Sequence, residues 1–328
     1  MGGFLSFFRR MFVCFFFLFF ALQAYAWEFE PLGQEGNENN EKGLRYNEVQ
    51  FGVAPGAFLE GSDLEASWKG DCLGVEWNLS KVGAEEDWDF AIQSEGKHRA
   101  DASSLRSTLR KVRVWSDAHP GHHIITVYLN LLEESVSGDD KAFCDKLDRI
   151  LLEELSVERL FVPAFLQKDA SSLLSAVCQY GWPYLEELRG NFIIVLSGND
   201  DNRLIARRKM VYTFSEPHKR LAFVAMDRRL SDRLSGDFED ISNLSFKEGS
   251  RVFLNLGFSS KSWMRFLQDA HDRGFVTNLW KIDTQRKWDM AKSSSANFVV
   301  VDDIFSRRRE NVSNEVQEEG VVADSIAE

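Results

Sequence analysis

Two hydrophobic periods alternate along the chain between residues 45 and 309. Short runs rich in β-branched and aromatic residues fall at 48–53, 73–78, 90–93, 124–131, 160–162, 192–196, 221–225, 252–256, 275–280 and 298–301, and each predicts a strand. The runs Ile124-Ile125-Thr126-Val127-Tyr128-Leu129 and Phe192-Ile193-Ile194-Val195-Leu196 are apolar on both faces. Strands covered on both sides have that pattern, and parallel strands are usually of this kind. Between the strands the period changes. Leu105, Leu109, Val112 and Trp115, then Phe143, Leu147, Ile150 and Leu151, then Trp263, Phe266, Leu267 and Ala270 each line one face of an expected helix.

Strand and helix alternating over this length predict a parallel α/β fold. About eight strand candidates with covering helices suit a TIM-type (β/α)8 barrel. An open doubly wound sheet is the alternative, but no Gly-rich strand-to-helix turn of the dinucleotide-binding kind supports it. Neither an internal repeat nor a second linker is visible, so residues 45–309 are expected to form one domain.

The two ends break the pattern. Arg9 and Arg10, the apolar run from Met11 to Leu22 and the small-x-small triplet Ala24-Tyr25-Ala26 have the order of a cleavable export signal over residues 1–26. The apolar run is too short for a membrane-spanning helix, which needs ~20 residues. Residues 27–44 are polar and rich in Gly, Asn and Glu, a lead-in. Residues 310–328 are acidic and lack aromatic residues, and are expected to remain a disordered tail.

Loss of residues 1–26 removes two arginines and no acid, taking the formal charge from −12 to −14. A chain this acidic repels phosphate backbones and anionic surfaces, which excludes nucleic acid as the expected partner. After cleavage Cys72, Cys144 and Cys178 remain, without CxxC spacing. That excludes a disulfide scaffold or zinc site and leaves at most one disulfide.

Three segments carry a family resemblance. The run from Gly181 to Leu196 (GWPYLEELRGNFIIVL), the turn from Trp115 to Ile125 (WSDAHPGHHII) and the stretch from Ser295 to Asp303 (SANFVVVDD) resemble, in order, motifs of the secreted calcium-dependent phosphatidylinositol-specific phospholipase C-like phosphodiesterases. The resemblance spans about residues 46 to 303 and implies a TIM-type barrel. It implies as well an activity that cuts phosphodiesters with two histidines as general acid and base, and with carboxylates holding Ca2+ against the phosphate. The chemistry explains the need: the leaving oxygen's charge must be met by a proton or a metal while the attacking hydroxyl loses its own proton.

Set against that family's pattern, the strand ends of this chain are altered. Pro55 stands where the first histidine is expected and has no proton to exchange. Ser94 aligns with the second, with His98 the nearest imidazole. Glu76 keeps one metal-binding carboxylate, but Asn78 and Asn130 put neutral amides where further charge is expected, and Leu132 stands at the lysine position. His119 and His122, in the Pro-Gly turn, are read as structural.

The expectation is therefore an exported family member with its hydrolytic centre dismantled, binding a small phosphorylated or lipid-derived ligand at the barrel mouth. Trp77, Asn78, Asn130 and Trp280 are the candidate ligand contacts, and Glu76 is the candidate metal ligand, with Asp302 or Asp303 near the closing strand as further carboxylates. Two alternatives stay open. One is an active phosphoric diester hydrolase on a phosphoinositide or glycerophosphodiester, with acid and base relocated to His98, His271 and Glu76 and Ca2+ as cofactor. The other is a structural or partner-binding exported domain.

Overall fold

A computed structural model describes residues 43–55, 72–84, 87–93, 103–133, 138–228, 248–258 and 263–301. Its centre is a closed barrel of parallel strands. In chain order these are β1 (Phe51–Pro55), β2 (Cys72–Gly83), β5 (Ile125–Leu131), β6 (Phe192–Ser197), β7 (Phe223–Arg228), β8 (Phe253–Gly257), β9 (Val276–Ile282) and β10 (Phe298–Val301). Each pairs in parallel with the next, β10 pairs with β1, and the pairing of β1 with β2 closes the ring. That closure decides against the open sheet. Two further strands lie outside the ring: β2 continues past its barrel register and turns back through β3 (Trp88–Gln93) and β4 (Ser103–Ser104), both antiparallel.

Helices α1 (Leu105–Ala118), α2 (Asp140–Leu155), α3 (Pro163–Gln167), α4 (Leu173–Tyr180), α5 (Arg203–Phe214), α6 (Trp263–Asp272) and α7 (Gln285–Lys292) fill the connections. Several begin at a side chain that satisfies an orphan N–H: Asp139 caps α2 at Ala142, Ser172 caps α4 at Ser175, and Asn202 caps α5 at Leu204 and Ile205. None of the described helices is long and apolar enough to cross a membrane, and residues 1–26 lie outside the described residues.

Strand alternation sorts the core into two layers. Val75, Trp77 and Leu79 of β2, Val127 and Leu129 of β5, and Ile194 and Leu196 of β6 pack outward against α1 and α2. Tyr128, Ile193, Val195, Phe223, Phe253 and Phe298 point into the barrel with Tyr46 and Trp182. This overturns one sequence expectation: Trp77 is 1% exposed within the outward layer and cannot line the mouth. Its register alternates with Glu76 and Asn78, which face inward.

Two predicted elements differ from the outcome. The apolar run 160–162 makes only an isolated bridge, Leu160 to Phe192, because Pro163 starts α3 immediately after it. The run 48–53 starts as a one-turn helix, Tyr46–Glu48, and becomes a strand only at Phe51.

Candidate functional site at the barrel mouth

The two ends of the barrel interior have opposite chemistry. The N-terminal end is plugged by aromatic rings: Tyr46 lies 5.1 Å from Trp182 and 6.1 Å from Phe298, and Trp182 lies 5.6 Å from Phe253, centroid to centroid. Polar atoms there are matched. The Tyr46 hydroxyl bonds Thr126 Oγ1 at 2.6 Å, Trp182 Nε1 donates to the Gly274 carbonyl at 2.7 Å, and Asn297 Nδ2 donates to the Asn47 carbonyl at 2.7 Å.

Toward the C-terminal end the inward positions turn polar, strand by strand. Glu76 and Asn78 come from β2, Tyr128 and Asn130 from β5, Ser197 from β6, Asp227 from β7, Asn255 from β8, and Asn278 and Trp280 from β9. The registers set them side by side: Pro55 opposite Glu76, Glu76 opposite Tyr128, Asn78 opposite Asn130, Asn130 opposite Ser197, Asp227 opposite Asn255, and Asn255 opposite Asn278. Barrel enzymes place their reacting groups at this end.

A hydrogen-bonded chain runs along one side of the mouth. Lys209, buried on α5, donates to Asp227 Oδ2 at 2.6 Å and to the Gly198 carbonyl at 2.9 Å, and lies 2.9 Å from Asp200. Asp227 Oδ1 accepts from Asn255 Nδ2 at 2.5 Å, and Asn255 Oδ1 accepts from Asn278 Nδ2 at 3.1 Å. Gly198 has to be glycine. Its φ is +140°, and a Cβ there would stand 2.9 Å from Ile205 and 3.0 Å from Leu131, disrupting the turn whose N–H and carbonyl serve Asp227 and Lys209. Burial pushes the Asp227 carboxyl up to about 6, with Lys209 opposing the shift. On the other side of the mouth Asn130 Nδ2 donates to Asn78 Oδ1 at 2.7 Å.

Trp280 is aimed by an irregularity in its strand. The β9–β10 register shifts between Val299 and Val301, and Lys281 takes a left-handed backbone with φ +64°. Such a bulge re-aims a side chain. The indole is laid over Gly257 of β8, where a Cβ would come within 2.9 Å of the ring.

Of the residues singled out from sequence, the structure brings Glu76, Asn78, Asn130 and Trp280 to the mouth and sets Pro55 at its rim by register. Ser94, His98, Asp302 and Asp303 lie outside the described residues. His271 does not belong at the mouth: it sits in the last turn of α6, ahead of the N-terminal end of β9, 3.4 Å from the exposed Asp272. The barrel fixes it at the opposite end, as it does every other described histidine. His119, stacked on Trp115, and His122, bonded to Ser116 at 2.9 Å, precede β5 with His123, and His218 precedes β7. Burial lowers the His122 imidazole.

Sequence reasoning missed Ser197, Asp227, Lys209, Asn255 and Asn278. A signal existed for four of them, since each ends or interrupts an apolar strand at an inward register, whereas Asn78 and Asn130 were picked from the family pattern. For Lys209 none existed, since a lysine on a helix is normally solvated.

Calcium asks for six to eight oxygens, with carboxylates among them. The described mouth does not fit it. Among the described residues no three His, Cys, Asp or Glu side chains form a group able to hold a metal. Both Asp227 oxygens are engaged by Asn255, Lys209 and Gly198, and Asn78 Oδ1 is taken by Asn130.

Residues 94–232 match the family model described as phosphoinositide phospholipase C, Ca2+-dependent. Among solved structures, the chain is similar to a calcium-dependent phosphoinositol-specific phospholipase C from a Pseudomonas species in its myo-inositol complex. The TM-score is 0.62 at 18% identity, over 82% of this chain and 94% of that one. A Ca2+-dependent phosphatidylinositol-specific phospholipase C from Streptomyces antibioticus gives 0.59 at 16% identity, over 79% and 95%. No curated protein matches the sequence.

Proposed function

We propose that the chain is a catalytically reduced relative of the TIM-barrel PLC-like phosphodiesterases, whose family model matches residues 94–232, and that it binds a small headgroup-like molecule at the barrel mouth. The observation that carries this reading is the separation of the described imidazoles from the mouth. His119, His122, His123, His218 and His271 all stand at the N-terminal end, and Pro55 holds the rim position beside Glu76. Where the described residues bring neither an imidazole to the leaving oxygen nor a ligand set for a cation, they give a phosphodiester no low barrier to cleavage. What persists is a barrel whose interior offers hydrogen bonds from Asn78, Asn130, Asn255 and Asn278, Ser197 and Tyr128. The relative with the 0.62 TM-score was solved with myo-inositol, which makes that cyclitol the first ligand to try.

The working-hydrolase alternative loses His271 by position, which leaves His98 and Glu76 as its material. The deciding experiment incubates the purified chain with phosphatidylinositol and with glycerophosphoinositol, with and without Ca2+, and measures water-soluble inositol phosphate or glycerophosphate. No turnover above buffer is expected. Calcium-stimulated release that disappears in Glu76→Ala overturns the reading.

Export is part of the proposal and rests on the Arg9-Arg10 pair, the apolar run and Ala24-Tyr25-Ala26. Amino-terminal sequencing of the protein recovered outside the producing cell should begin at Trp27; a chain retained intact in the cytoplasm refutes it.

A further inference from the structure

Four buried side-chain atoms at the mouth have no hydrogen-bond partner: Tyr128 Oη, Ser197 Oγ, Asn278 Oδ1 and Trp280 Nε1. Tyr128, Ser197 and Asn278 are at most 1% exposed. Leaving such an atom unserved costs about 1–3 kcal/mol. Their shared position at one end of the barrel interior is therefore informative. They stand at inward positions of β5, β6 and β9, and Tyr128 lies in the field of Glu76 and Asp227. Burial raises the Tyr128 hydroxyl well above its ordinary range, and the charges of Tyr46, Glu76 and Asp227 push it the same way.

The polarity of these atoms is fixed. An ionised Asp227 only accepts, so Asn255 must turn its NH2 toward it and its carbonyl toward Asn278. Asn278 then has to donate to Asn255, and its own carbonyl is left as an acceptor. Trp280 Nε1 can only donate. The Tyr128 and Ser197 hydroxyls can do either. A partner for this set must donate and accept at closely spaced points. Hydroxyl groups do both. Phosphoryl oxygens only accept at neutral pH, so they leave Asn278 unserved, and an ammonium only donates, so it leaves Trp280 unserved.

Charge points the same way. Glu76, Asp200 and Asp227 supply three carboxylates here, and the buried cation among them, Lys209, is held by both aspartates. Lys281 stands at the exposed rim with its ammonium 4.8 Å from the centroid of the Trp280 ring, outside the buried set.

We propose that the mouth selects an uncharged cyclic polyol and discriminates against its phosphorylated form, with Tyr128, Ser197, Asn278 and Trp280 as the contacts. This rests on the mouth-binding reading above and departs from it in rejecting a phosphorylated ligand.

Titration calorimetry on the purified chain tests it with myo-inositol, myo-inositol 1-phosphate and inorganic phosphate as probes. Binding of myo-inositol at least about 10-fold tighter than its 1-phosphate is expected, a difference of ~1.4 kcal/mol, with no heat from phosphate. Ser197→Ala and Tyr128→Phe should each weaken myo-inositol roughly 5-fold or more, with melting temperatures equal to or above the parent, because each removes an unserved group. Tighter binding of the 1-phosphate, abolished by Lys281→Ala, overturns the selectivity and leaves mouth binding intact. Myo-inositol binding that neither variant weakens overturns the assigned contacts. If no probe gives heat, both the inference and the mouth-binding reading fail.

Discussion

The two ends of one barrel treat the same residue types differently. At the N-terminal end Tyr46, Trp182 and Asn297 have their polar atoms bonded, while at the mouth Tyr128, Trp280 and Asn278 each leave one polar atom buried and unserved. Burial alone does not separate the two groups, since five of these six are at most 2% exposed and Trp280 is half-buried. The difference is satisfaction. A closed end that only has to hold the fold matches its donors with acceptors. An end that keeps unmatched groups at a stability cost is, under the proposal above, holding them for a ligand.

The largest effect that sharpens this contrast lies at the plug. Trp182→Ala removes a fully buried indole touching Tyr46, Phe223 and Phe253 and strands the Gly274 carbonyl, and it should cost ~3–5 kcal/mol in urea unfolding. A loss below about 1 kcal/mol would mean the plug is not a packing centre. Next comes Lys209→Met. It leaves Asp200 and Asp227 facing each other without their cation and should cost about 3 kcal/mol, the usual order for breaking a buried pair. Equal stability to the parent would show that the carboxylates are not held by this lysine.

A smaller effect is pH-dependent. Burial raises Asp227 from its ordinary 3.8 to about 6. Between those values the folded state holds a proton that the unfolded chain has released, so this carboxyl makes the protein lose stability as pH rises through that window. Asn has no proton to release. The stability of the parent relative to Asp227→Asn should therefore fall from about pH 4 to about pH 6 and level off above. A difference flat across that range would place the Asp227 titration elsewhere.

The scaffold was largely legible in the sequence, because strand and helix periods are local. Nine of the ten apolar runs became strands, and the exception, 160–162, was cut short by Pro163. The mouth was legible only where the family resemblance supplied a strand-end pattern. Asn78 and Asn130 were found that way, whereas Asp227, Asn255 and Asn278 sit in strands whose apolar neighbours hid them. Trp77 shows the converse error: being beside a strand end says nothing about which face a side chain takes, and an offset of one residue from Glu76 turns it to the helices. His271 failed for a topological reason, since a helix that precedes a barrel strand delivers its last turn to the end opposite the mouth.

The finest test makes one substitution at both ends. Tyr46→Phe removes the partner of Thr126 Oγ1, which stays buried at 0% exposure without its bond. It should cost about 1–3 kcal/mol, the desolvation of a stranded hydroxyl. Tyr128→Phe deletes a hydroxyl that has no partner to strand. The ring keeps its edge-on packing against Phe253 and Phe298, so stability should hold within about 0.5 kcal/mol or rise. Measured side by side by urea unfolding at one pH, the two values differ only through what surrounds an identical oxygen. Equal losses would mean that the Tyr128 hydroxyl is as well served as that of Tyr46, and the distinction between a satisfied end and an unsatisfied one would fall with it.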